Sequence, residues 1–168
     1  MDTREQVFER FIDERLGLLR GTAMRILGDS ADVEDAVQQA LMFAWRKYEA
    51  FRGDAEFATW VTRILLNVCY DMVRERVRER DVLAEYGESG VTPGEASDEE
   101  SLLDRLDYAV ARLPRIYRES LSLGVLSGKS PDEAASILGC SRNTLYQRIH
   151  KAKQLLAKSI REVSYEKA

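Results

Sequence analysis

A chain of 168 residues with 45% hydrophobic side chains can build one medium domain or two small ones, each with an apolar core. Its 25 Lys and Arg against 29 Asp and Glu give a net charge of −4, which speaks against a surface that is basic all round. Cys69 and Cys140 lack CxxC spacing, and His150 is the only histidine, so neither a disulfide framework, a zinc site nor a Ser-His-Asp or Cys-His catalytic set can be assembled. No apolar run reaches bilayer length and the N-terminus lacks the hydrophobic region of a signal peptide, so the expectation is a cytoplasmic protein that is not an enzyme and needs no metal or cofactor.

The segments of the N-terminal half have helical rather than strand period. From Ala31 the apolar positions Val33, Ala36, Val37, Ala40, Leu41, Ala44 and Trp45 recur at three and four residues and predict a core-facing stripe. The opposite face carries Asp35, Gln38, Gln39, Met42 and Arg46, with Phe43 beside it. A solvated face has no use for Met42 and Phe43, so this side is either a slightly greasy surface or the docking site of a partner helix.

Tyr48 to Glu56 holds a turn at Gly53 and Asp54, with Tyr48 and Phe51 beside Arg52. These aromatics suit either a helix corner of the core or stacking on an unpaired base. A second long helix is predicted from Phe57 to about Arg80, with Phe57, Trp60, Val61, Ile64, Leu65, Val68, Met72 and Val73 as its buried stripe. Its other face shows Thr59, Thr62, Arg63, Asn67, Tyr70, Arg74 and Arg78, interrupted by Glu75 and Glu79. That pattern reads as a nucleic-acid track or as a charge-laced solvated helix.

From Asp81 to Asp107 nine acidic residues face only Arg105, a local balance of −8. Within it, Glu85 to Ser101 collects three glycines, one proline and six carboxylates with few large apolar groups. The stretch predicts a flexible acidic linker between two domains, residues 1–84 and 102–168.

Gly128 to Lys151 reads as a helix-turn-helix. Ser130 is an N-cap, Pro131 suits the first helical position, and Glu133 can close a capping box, so the first helix runs to about Leu138. Gly139 stops it and Ser141 caps the next helix. Small Ala135 allows close approach, and Leu145 and Ile149 face the core. Arg142, Asn143, Tyr146, Gln147, Arg148, His150 and Lys151 are left outside, with groups suited to phosphate or base edges. From Arg142 onward seven basic residues face two acidic ones, a balance of +5 that the whole-chain charge conceals.

Four blocks in this order resemble a bacterial sigma factor of the small extracytoplasmic-function type within the sigma-70 family. They are Arg25–Trp45, Phe51–Arg74, Leu113–Leu123 and Ser130–Lys153. The resemblance implies an all-α fold of two small helical domains, a helical bundle and a helix-turn-helix domain, joined by the acidic linker. It implies that the first domain binds core RNA polymerase at the beta-prime clamp helices through Asp35, Gln38, Gln39 and Met42. The same domain would open and read the minus-ten promoter element through Phe51, Arg52, Trp60, Arg63, Asn67 and Arg74. In the second domain Arg142, Asn143, Thr144, Tyr146, Gln147, Arg148, His150 and Lys151 match the helix that grips the minus-thirty-five duplex. The beta flap of polymerase and an anti-sigma factor are further partners of such proteins. Tyr146 and Gln147 stand where many relatives carry a basic or small residue, and Val73–Arg80 is less basic than the arginine clusters often found there.

Two other classes fit part of the pattern. A dimeric helix-turn-helix regulator acting without polymerase would leave the Asp35–Met42 face and the Phe51 turn without a task. A sigma mimic that only sequesters a regulator would be expected to lack the basic recognition helix, which is intact here.

Overall fold

In the computed structural model, which describes residues 2–86 and 106–166, all regular structure is helical. Helix α1 (Arg4–Leu27) starts at a capping box in which the Gln6 N–H donates to the Thr3 hydroxyl at 3.3 Å and the Thr3 N–H donates to the Gln6 amide oxygen at 2.9 Å. Helix α2 (Ser30–Arg46) is capped by Asp29, whose carboxylate accepts from the Ala31 and Asp32 N–H groups.

The α2 stripe is buried at Val33, Ala36, Val37, Ala40 and Ala44, and these small side chains let α1 and α3 pack closely. Trp45 departs from the expected core stripe. It lies at the rim, partly exposed, with the Arg4 guanidinium 3.7 Å from its ring centre and the Phe8 ring edge-on at 5.0 Å. A short 3-10 turn, Tyr48–Ala50, leads to α3 (Phe57–Tyr86), which runs beyond the expected end at Arg80.

Phe57 is the centre of an aromatic cluster, with Phe8, Phe11, Tyr48, Phe51 and Trp60 at centroid distances of 5.0, 5.2, 5.9, 5.5 and 5.8 Å. Val61, Leu65, Leu66, Cys69 and Val73 form the buried line of α3. Two further departures concern this helix. Tyr70, expected on the outer face, is only 2% exposed, and Phe57, Trp60, Ile64, Val68 and Met72, expected in the core, are half-buried. Tyr70 is buried by a second packing partner: the C-terminal half covers part of the side of α3 that periodicity assigns to solvent.

That half comprises α4 (106–111), α5 (Arg115–Leu121), a π turn (Ser122–Leu126), α6 (Pro131–Leu138) and α7 (Arg142–Glu166). The π turn is closed by the Ser127 N–H on the Ser122 carbonyl at 2.8 Å. The capping box at Ser130 and Glu133 forms, as does the left-handed Gly139 at φ +61. The expected acidic linker spans residues 85–101; Glu85 and Tyr86 belong to α3, and 87–101 lie outside the described residues.

Candidate polymerase and promoter interfaces

Asp35, Gln38, Gln39 and Met42 follow the helical repeat along one exposed side of α2, and the structure brings all four together. Met42 also lines an apolar groove of about 580 Å³ between α1 and α2, with Phe8, Ile12, Leu41 and Trp45. An apolar groove beside amide and carboxylate groups suits the side of another helix.

The residues matched to the minus-ten element divide into two groups. Phe51, Arg52, Trp60 and Arg63 surround a cavity of about 210 Å³, together with Asp54 and Thr59. Its volume lies below the roughly 300–1,000 Å³ typical of pockets for larger organic ligands, and its walls offer an aromatic face and two guanidinium groups. The Phe51 and Trp60 rings are tilted at 37° with centroids 5.3 Å apart. Asn67 and Arg74 are not at this cavity. Asn67 accepts a 3.3 Å hydrogen bond from Arg118, while Arg74 donates to the Ala111 carbonyl at 3.0 Å and pairs with Asp71. Arg76 points inward too, pairing with Asp32 and donating to the Leu27 carbonyl at 3.3 Å.

On α7, Arg142, Asn143, Tyr146, Gln147, His150 and Lys151 are exposed. Thr144 and Arg148 are half-buried. Thr144 serves the helix start, its N–H donating to the Ser141 hydroxyl at 3.1 Å. Arg142 lies 3.4 Å from Asp132 of α6, and its hydrogen bond with Tyr146, then the Asp132 charge, holds its proton above the ordinary arginine range. His150 shares a 3.1 Å contact with Gln154.

Sequence reading missed the polar seam between the halves. Arg118 and Glu119 of α5 are 6% and 3% exposed. Glu119 accepts from Arg115 at 2.7 Å and lies 3.5 Å from Arg63. Arg118 also donates to the Ala111 carbonyl at 3.1 Å. Burial, and then the nearby Arg74 charge, holds the Arg118 proton below the ordinary arginine range. The adjacent opposite charges of Arg118 and Glu119 within the seven-residue helix were the available signal.

Known proteins place this architecture. Residues 11–79 match the family described as Sigma-70 region 2, and residues 103–156 match Sigma-70, region 4. The ECF RNA polymerase sigma-E factor of Escherichia coli (strain K12) is 34% identical over 139 residues, covering 76% of this chain and 73% of that protein. The RNA polymerase sigma-H factor of Pseudomonas aeruginosa is 28% identical over 158 residues, covering 87% of this chain and 82% of that one. Among solved structures, the sigma factor RpoE of Bartonella quintana, co-crystallised with the anti-sigma factor NepR, aligns over 92% of this chain and 97% of its own at 28% identity and a TM-score of 0.50. The chain belongs to the extracytoplasmic-function sigma factors of the sigma-70 family. It is a transcription initiation factor that directs RNA polymerase to promoters, and not an enzyme. Among the described residues no helix is long and apolar enough to cross a membrane, and no cluster of side chains is placed to hold a metal.

Proposed function

We propose that α2 holds the clamp helices of core polymerase through Asp35, Gln38, Gln39 and Met42, that Phe51, Arg52, Trp60 and Arg63 capture a minus-ten base, and that α7 grips the minus-thirty-five duplex. The carrying observation is the outer side of α2, where Met42 and Phe43 remain 48% and 51% exposed beside an apolar groove. Folding leaves that surface uncovered, and a helical partner would bury it. Residues 1–84 then form the unit that binds polymerase and opens DNA, and 102–168 the unit that holds duplex. The protein works in the cytoplasm, where polymerase and chromosome meet.

Neither grip has to be strong alone. Once polymerase holds both units, the second contact becomes intramolecular, with an effective concentration on the order of millimolar. Opening DNA costs about 1.4 kcal/mol of stacking per base-pair step. Stacking one flipped base on an aromatic side chain returns roughly 1–3 kcal/mol, enough to offset one step. Trp60 and Phe51 supply that face, and Arg52 and Arg63 the charge for the adjoining phosphate. The likeness to a sigma factor crystallised with an anti-sigma factor supports a third partner of that class.

The test is a direct titration of core polymerase with Gln38→Ala/Met42→Ala protein, followed by run-off transcription on genomic fragments. The expected result is at least a tenfold weaker complex with helix content unchanged. Unaltered affinity refutes the clamp assignment.

A further inference from the structure

The end of α5 is bent by its own side chains. Ser120, Ser122 and Ser127 each donate a hydroxyl proton to the carbonyl four residues back, on Ile116, Arg118 and Leu123, at 2.7, 2.8 and 2.8 Å. Such bonds compete with the helical ladder and bend it. Here the ladder widens into the π turn Ser122–Leu126, with the Ser127 N–H reaching the Ser122 carbonyl. Gly124 stands in the middle of that turn, and its bare backbone lies directly against α7. A Cβ at Gly124 would stand 2.6 Å from Ile149 Cδ1, 3.4 Å from Leu145 Cδ1 and 3.5 Å from Ile149 Cγ1. Carbon atoms in contact sit about 3.5–4.0 Å apart, so the first distance is short by roughly 1 Å.

A free methyl would swing aside, but Ile149 is buried, Leu145 closes one side of it, and close-packed interiors hold few voids to turn into. A side chain at position 124 therefore pushes on α7. Leu145 and Ile149 form the core side of that helix, so the push is directed outward. Asn143, Gln147 and Lys151 each lie two residues from one or both of them, about 200° around the helix, on its exposed side. Hydrogen bonds to base edges accept donor–acceptor distances over a window of only about 0.5 Å, so a displacement of roughly 1 Å breaks them.

We propose that Gly124 is a positioning residue for promoter reading: the bare backbone of the π turn sets the depth at which α7 is seated, and with it the fit of Asn143, Gln147 and Lys151 on the minus-thirty-five duplex. Gly124 acts through Ile149 and Leu145 and touches no DNA itself. This rests on the minus-thirty-five assignment of α7.

The test uses the full chain with core polymerase and two labelled promoter fragments. One carries the minus-thirty-five element of a promoter recovered by run-off transcription, and the other is identical except that this element is scrambled. The quantity measured is the ratio of the two affinities at one salt concentration. A variant that is merely less stable lowers both affinities by its folded fraction and leaves the ratio unchanged. Gly124→Ala is expected to lower the ratio by about tenfold or more, the loss of at least one good base contact. Its affinity for the scrambled fragment rests on phosphate contacts and stays within about twofold of wild type. Ile149→Val deletes the methyl that the new Cβ meets, so Gly124→Ala/Ile149→Val recovers most of the ratio. Ser127→Ala adds no bulk and removes only the hydroxyl shared by the Leu123 carbonyl and the Lys129 N–H. It remains available if Gly124→Ala does not fold, and by relaxing the turn it lowers the ratio by a smaller factor.

A wild-type ratio in every folded variant means that Gly124 positions nothing, while the minus-thirty-five assignment stands. A ratio that falls in Gly124→Ala and stays low in the double variant removes the Ile149 contact as the cause and overturns the proposal. If the wild-type protein binds both fragments alike, α7 does not read the element, and that assignment falls together with the role of Gly124.

Discussion

Replacing Arg76 by alanine separates a structural clamp from a phosphate contact. Arg76 sits in the Val73–Arg80 stretch, whose lower basicity puts a phosphate contact there in doubt. In the fold its guanidinium donates to the Leu27 carbonyl at 3.3 and 3.4 Å and pairs with Asp32. Leu27 ends α1 and Asp32 lies in the first turn of α2, so one cation serves an orphan helix carbonyl and a carboxylate at the next helix start. A buried hydrogen bond from a charged donor contributes about 1.5–3 kcal/mol, and an exposed ion pair about 0–1 kcal/mol. The Arg76 and Asp32 side chains are 37% and 34% exposed, so solvent screening moves the sum toward the low end. Arg76→Ala is expected to cost about 1–2 kcal/mol, or roughly 2–4 °C in Tm for each kcal/mol in a chain of this size. Urea denaturation followed by circular dichroism measures it, with Arg78→Ala as the control, since the Arg78–Glu75 pair is exposed and contributes only a few tenths. The salt dependence of promoter binding by the polymerase complex should keep its slope in Arg76→Ala. Unchanged stability together with a slope reduced by about one would refute the clamp and make Arg76 a phosphate contact.

Alkali should loosen the core in a defined window. Burial pushes the Cys69 thiol from 9.0 up to about 12, and pushes the Tyr70 phenol from 10.0 up to about 12. Both groups keep their protons longer when folded, so their stabilisation is complete below about pH 9 and declines as pH rises from there to about 12. Cys69→Ala should delay the onset in pH-dependent urea titrations, whereas a flat stability curve up to pH 12 would contradict the burial of both groups. Gly139→Ala places a Cβ where φ is +61 but where no atom lies within 4 Å, so it should cost the backbone penalty alone, about 1 kcal/mol, with Gly139→Asn costing less. A loss above about 3 kcal/mol by calorimetry would mean that the helix-turn-helix corner tolerates no side chain.

The helix-turn-helix was legible because its signals are local. Ser130 with Glu133, Pro131, Gly139 and Ser141 act on backbone groups within four residues, and each forms the cap or turn its chemistry requires. The small-residue stripe of α2 was legible for the same reason, since period alone selects Val33, Ala36, Val37, Ala40 and Ala44. The outer face of α3 was not. Tyr70 and Asn67 look solvent-facing by period, but their partners Ser122 and Arg118 lie about fifty residues on. Periodicity reports one buried stripe, and a helix clasped from two sides has two. Arg74 illustrates that limit: period puts its charge on an outer face, while its place beside the Ala111 carbonyl depends on tertiary packing.

The start of α7 shows how fold and partner chemistry join. Arg142 occupies the first position of this helix, where the aligned peptide dipoles disfavour a cation. Asp132 at 3.4 Å offsets part of that cost, although both side chains are mostly exposed and the pair is screened. A phosphate at the same place reverses the sign of the argument, because the free N–H groups of the first turn, the dipole and the Arg142 guanidinium then all favour the anion. In the proposed grip a phosphate would therefore give this cation a role beyond its contacts with Asp132 and Tyr146. Tyr146 and Gln147 lie one turn further on and Lys151 a turn later on the same exposed side, where a duplex held by the helix start in the proposed grip would meet them. Under the proposed minus-thirty-five grip, charge at the helix start would set register and the neutral donors and acceptors in its middle would face the bases.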